Sequence, residues 1–187
     1  MPEVYERVLA PAVFRPFAVD LARRVSAQFG VMFFPDKPGA FEEVRRVLRP
    51  EGTFVFNVWA ALDGHDFESA VVAGLRRALP VDPPTFLEAV PHGYSDVDRV
   101  VADLHLAGFS GIEVDSTTLE GRSASAAEIA EGYCYGTPLP TEIDARGDLA
   151  AVTAVVAEAI EHRLGPGPIT GSMTAHAVRA LGGSTAF

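Results

Sequence analysis

Cysteine is almost absent from this chain of 187 residues: Cys134 is the only one. A single thiol excludes an intramolecular disulfide and leaves no cysteine cluster for a metal. It sits in Gly-Tyr-Cys-Tyr-Gly with nothing local to activate a thiolate, so it reads as a small buried hydrophobe. Basic residues are also scarce, 15 Lys and Arg against 25 Asp and Glu, which gives a formal net charge of −10. That balance argues against a nucleic-acid partner, which calls for a basic face. Arginines come singly or in pairs (Arg23-Arg24, Arg45-Arg46, Arg76-Arg77) flanked by apolar residues, as on the wet face of a helix. No apolar run approaches the ~20 residues of a membrane span. The first residues lack the basic stretch and apolar core of a signal peptide, so a cytoplasmic location without membrane contact is expected. Glycine is missing from the first 29 residues.

What is present suits one substantial core. With 48% hydrophobic residues, the chain reads as a single domain over 1–187. Residues 1–27 read as interrupted helices, with Pro11 and Pro16 breaking a helical spacing of apolar residues. The run Gln28-Phe-Gly-Val-Met-Phe-Phe34, stopped by Pro35-Asp36, predicts a buried strand. Pro38 opens a helix whose apolar face is Phe41, Val44, Val47 and Leu48. Thr53 to Trp59 is apolar on both faces and predicts an interior strand covered by helices. A helix follows from Asp66 to Leu79. Ser95 with Asp98 marks another helix start, and that helix ends at Gly108. Ile112 to Asp115 alternates as a strand. Ser125-Ala-Ala-Glu128 is a capping box, and Leu149 to Gly165 a long helix. Ile169 to Ala180 alternates weakly, as a last strand. The order predicts an α/β fold with a mostly parallel sheet and an antiparallel final strand.

Two stretches, Gln28 to Asp36 and Phe41 to Trp59 with its Leu48-Arg-Pro-Glu-Gly52 turn, resemble the fourth and fifth strand region of class I S-adenosylmethionine-dependent methyltransferases. The similarity is closest to the quinone-biosynthesis C-methyltransferase branch. Pro91-His-Gly-Tyr94, Ala107-Gly-Phe109 and Gly136-Thr-Pro138 also look like family features, and residues 1–27 resemble its lid helices. The resemblance implies a truncated Rossmann-like sheet over 28–187, with strands equivalent to 4, 5, 7 and 6, flanking helices and a substrate-side insertion. It implies S-adenosylmethionine as cofactor and a small-molecule acceptor, with in-line methyl transfer driven by proximity and orientation.

The family's Gly-x-Gly-x-Gly loop, through which backbone N–H groups approach the cofactor closely, has no counterpart here. Gly165-Pro-Gly167 cannot replace it, because prolines remove N–H donors and the segment follows a helix. The block absent between Val25 and Gln28 amounts to three strands and crossovers, on the order of a hundred residues. The expectation is therefore a chain that is inactive as it stands, and that either lacks the cofactor or binds it in an unusual way. The alternative is a non-catalytic remnant that acts as an assembly or regulatory partner.

By the resemblance, Gln28, Phe29, Met32 and Phe33 face the cofactor at the carboxyl end of the first strand, where open α/β sheets place ligands. Plain packing is the competing reading. Asn57 and Trp59 end the next strand at the same edge, and Trp59 either walls a substrate pocket or packs in the core. His92 and Tyr94 suggest a polar pair in a substrate lid, with His92 as proton acceptor. Tyr133 lines either the same cavity or the core. The five histidines show no zinc-like spacing with one another, with cysteine or with carboxylates, so no metal site is expected. Finally, 29–34 reads as an exposed apolar sheet edge, which invites pairing into a homo-oligomer.

Overall fold

The structure, a computed structural model, describes residues 27–48 and 52–182. The expected lid helices and most of the Arg49–Gly52 turn lie outside that range. The described chain divides into two compact units. One, the sheet unit, holds residues 27–48, 52–61, 90–117 and 174–182; the other, the helical unit, holds Leu62–Ala89 and Thr118–Met173.

The sheet unit contains strands β1 (Ala27–Gln28) and β2 (Thr53–Trp59), with helices α1 (Lys37–Val47) and α4 (Val97–Leu106). Strands β3 (Ser110–Ser123) and β4 (Ile169–Leu181) each contribute part of their length to it. The strand order is β1-β2-β4-β3, with β1 parallel and β4 antiparallel to β2. This is the order expected for strands equivalent to 4, 5, 7 and 6, with the last strand in sequence running antiparallel. Every β2 residue from Phe54 to Trp59 is buried, as an apolar pattern on both faces requires. Phe41 of α1 packs against Phe54 and Phe56 with ring centroids 5.8 and 5.6 Å apart, and Phe54 meets Phe109 at 5.7 Å.

Side-chain caps open several of the helices. Asp36 accepts from Gly39 N–H at 3.0 Å to open α1. The cap of α4 is Asp96 rather than the expected Ser95: its carboxylate accepts from Asp98 N–H at 2.9 Å and Arg99 N–H at 3.3 Å. A carboxylate reaches two of the unpaired first-turn donors, and its charge also suits the helix dipole.

The predicted strand at 28–34 ends at Gln28. Phe29 has a left-handed backbone (φ 48°), and Val31–Phe33 form a 3-10 turn. A regular strand does not continue through that geometry, so the strand expected over 29–34 is replaced by a turn.

The helical unit contains α2 (Asp66–Ala78), α3 (Phe86–Ala89), α5 (Ala126–Gly136), α6 (Leu139–Asp144) and α7 (Leu149–Leu164). Ser125 accepts from Glu128 N–H at 3.2 Å, the predicted capping bond, and Asp148 caps α7 through Ala151 N–H at 2.7 Å. Phe67, Val71, Leu75, Ile129, Val156 and Ile160 are all fully buried and form the core of this unit. No helix among the described residues is long and apolar enough to cross a membrane.

Candidate functional site

Because β1 and β2 run parallel, with Gln28 opposite Asn57, their carboxyl ends reach one edge of the sheet. Five residues singled out in the sequence meet there. Asn57, only 1% exposed, turns its amide across to the chain leaving β1, and its Oδ1 accepts the Phe29 N–H at 2.8 Å. That bond holds Phe29 in a conformation costing a non-glycine residue roughly 1–2 kcal/mol. The Phe29 ring lies on Trp59, with centroids 3.8 Å apart and planes 17° from parallel. A buried hydrogen bond of ~1 kcal/mol and a stacked aromatic pair of ~1 kcal/mol together offset the strain. The Asn57 Nδ2 has no hydrogen-bond partner among the described residues.

His92 joins this edge one residue beyond Trp59. Its Nδ1 lies 2.8 Å from the carbonyl of Ala60. A carbonyl only accepts, so Nδ1 carries the proton and Nε2 is the basic nitrogen. Burial lowers the imidazole pKa, and the Ala60 bond offsets this in part, so the ring is held neutral. Tyr94 does not pair with it. The Tyr94 hydroxyl donates to Asp103 Oδ2 at 2.8 Å, and Lys37 Nζ stands 4.7 Å from its ring centroid. Burial, then the Asp103 bond and charge, push this phenol well above its usual range, so it is no acid–base group.

The four residues that the resemblance places at the cofactor divide by exposure. Phe29 and Met32 are buried in protein contacts, while Gln28 and the 53% exposed Phe33 face outward. Phe29 is committed to Trp59, and the chain contains no Gly-x-Gly-x-Gly.

Tyr133 belongs to the helical unit. Its hydroxyl donates to Glu68 Oε1 at 2.5 Å. Glu68 is 3% exposed, and burial drives its carboxyl pKa upward against the Tyr133 bond, which lowers it. His65 Nδ1 lies 3.8 Å from Glu68 Oε2. The sequence shows no zinc-like spacing of His65 with a carboxylate, and the structure places it beside Glu68. The signal available was His65-x-x-Glu68 at a helix start, where cap and third helical position share a face.

Cys134 is fully buried, and burial pushes its thiol up to about 11 from 9.0. Two pH units make thiolate about a hundredfold scarcer. At pH 8 an aromatic disulfide reagent should therefore label the native chain at least about a hundredfold more slowly than the denatured chain. Labelling at comparable rates would show that the thiol is accessible.

No family model matches the chain. It is 28% identical over 137 residues to uncharacterized proteins of Mycobacterium bovis and Mycobacterium tuberculosis. The match covers 73% of this chain and 47% of theirs, so the chain spans about half the length of the curated relatives it matches. Among solved structures, the YcgJ protein from Bacillus subtilis aligns with a TM-score of 0.44 at 18% identity, covering 82% of this chain and 61% of that one. Haemonchus contortus phosphoethanolamine N-methyltransferase 2, solved with phosphomonomethylethanolamine and S-adenosylhomocysteine, aligns with a TM-score of 0.38 at 12% identity. That alignment covers 82% of this chain and 32% of the enzyme.

Proposed function

We propose that this chain is the substrate-side half of a class I S-adenosylmethionine-dependent small-molecule methyltransferase scaffold, and that by itself it neither binds the cofactor nor transfers a methyl group. The observation that carries the first part is the strand order β1-β2-β4-β3 with β4 antiparallel, reached from a sequence resemblance that predicts that order. The second part is supported by the missing glycine loop and by Phe29, whose ring lies on Trp59 where an open α/β sheet would present a ligand. In an assembled site, the Asn57–Trp59–His92 edge would face the methyl acceptor. Neutral His92 is the residue there suited to taking a proton from it.

Titration calorimetry of the 187-residue chain with S-adenosylmethionine and S-adenosylhomocysteine tests the reading. No binding heat is expected at tens of micromolar protein. Saturable binding of either compound would overturn the cofactor part and restore the chain as an enzyme in its own right.

A further inference from the structure

The buried polar cluster of the helical unit plays no part in the function proposed above. Glu68 occupies the third position of α2 and His65 its cap, so both project from one turn. The Tyr133 hydroxyl, 65 residues away in sequence, holds Glu68 Oε1 at 2.5 Å and thereby fixes the plane of the carboxyl group. Its other oxygen, Oε2, has no hydrogen-bond partner among the described residues and stands 3.8 Å from His65 Nδ1. That separation is too long for a hydrogen bond. An unsatisfied carboxyl oxygen in a site only 3% exposed is costly, so what completes it matters.

The spacing itself suggests an occupant. Zinc takes imidazole nitrogen at about 2.0–2.1 Å and carboxylate oxygen at about 2.0–2.2 Å, so two such ligands can stand up to roughly 4.3 Å apart across one ion. The observed 3.8 Å falls inside that limit, and a contraction of a few tenths of an ångström brings the angle at the ion toward tetrahedral. An imidazole and a single carboxylate favour a borderline ion of the zinc class over magnesium or calcium, which prefer all-oxygen sites. Tyr133 supplies the outer-shell hydrogen bond that a ligating carboxylate characteristically has.

We infer that His65 Nδ1 and Glu68 Oε2 bind a divalent transition-metal ion of the zinc class, with Tyr133 orienting the carboxylate. Two protein donors leave the remaining coordination positions to water or to the donor atoms of a ligand.

The full chain, stripped with a chelator, would be titrated with zinc sulfate by calorimetry and with cobalt(II) by visible absorption. One zinc per chain at micromolar affinity or tighter is expected, with a rise in Tm on zinc addition. Glu68→Gln keeps an acceptor for Tyr133 and loses the anionic oxygen; it should weaken zinc by about tenfold to a hundredfold, as should His65→Asn. His162→Asn, at an exposed histidine, should change nothing. Absence of binding at a hundred-micromolar order of zinc overturns the inference, as does affinity unchanged in Glu68→Gln, which would assign the ion to surface groups. If the glutamine variant fails to fold, cobalt decides: the intense band of a four-coordinate site supports the inference, and the pale spectrum of a surface-held ion overturns it. No cofactor enters these measurements, so their outcome is separate from that of the calorimetry with S-adenosylmethionine.

Discussion

Replacing Phe41 by alanine should cost the chain about 3–5 kcal/mol, the largest effect we expect of any single substitution. Phe41 is completely buried on α1, and its ring meets those of Phe54 and Phe56. Removing it leaves a cavity that aromatic neighbours on a strand cannot fill, because β2 is fixed on both sides by β1 and β4. Phe41→Leu keeps most of the volume and should lose no more than about 1.5 kcal/mol. Phe33→Ala provides the contrast: that ring is 53% exposed, so stability should stay within about 0.5 kcal/mol. Urea denaturation followed by circular dichroism measures all three. Equal losses for Phe41→Ala and Phe33→Ala would refute this account of the sheet unit's core.

Gly74→Ala should also destabilise, against the usual preference of a helix for alanine. Exchanging glycine for alanine in a helix interior normally gains about 1 kcal/mol. At Gly74, however, a Cβ would lie 2.7 Å from Val156 Cα, 3.1 Å from Val156 Cγ2 and 3.2 Å from Ala159 Cβ. The nearest obstacle is backbone and cannot rotate away, so α2 and α7 must separate. Separation loosens the contacts that bury Val71, Leu75 and Val156. Overpacking of this kind costs about 1–3 kcal/mol, which offsets the propensity gain and leaves a net loss of up to about 2 kcal/mol. Gly74→Val adds branching and should lose more than the alanine variant. For a chain this size each kilocalorie lowers Tm by about 2–4 °C, so calorimetry resolves the series. An alanine variant at least as stable as the parent would mean that the two helices have room to spare.

The same two helices show how legible the helical unit was. Asp66 to Ala78 and Leu149 to Leu164 follow from apolar spacing and from end signals that act within a single turn. Their close approach at Gly74 was not legible, since a glycine in a helical pattern does not say which neighbour needs its missing side chain. The short helix Leu139–Asp144 was not marked out by apolar spacing; Pro138 and Pro140 stand at its start, where proline is tolerated. β3 proved far longer than the expected Ile112 to Asp115. Its outer half, Thr117 to Ser123, alternates in exposure but carries Leu119 as its one large apolar side chain, so the sequence gives little hydrophobic signal for it.

At the sheet edge, the sequence alone determined that Thr53–Trp59 is an interior strand. It also placed a strand at Gln28 and an antiparallel last strand. These follow from apolar periodicity and chain order, which are local or topological properties. Tertiary structure decided where the first strand stops. Phe29 adopts its left-handed turn because Asn57, 28 residues on, captures its N–H and Trp59 receives its ring. It likewise decided that the Tyr94 hydroxyl goes to Asp103 rather than to His92, and that Tyr133 meets Glu68. The physical reason is the same in each case. A buried polar group must find a partner, and which partner lies within 3 Å depends on how distant segments pack, which no local pattern records.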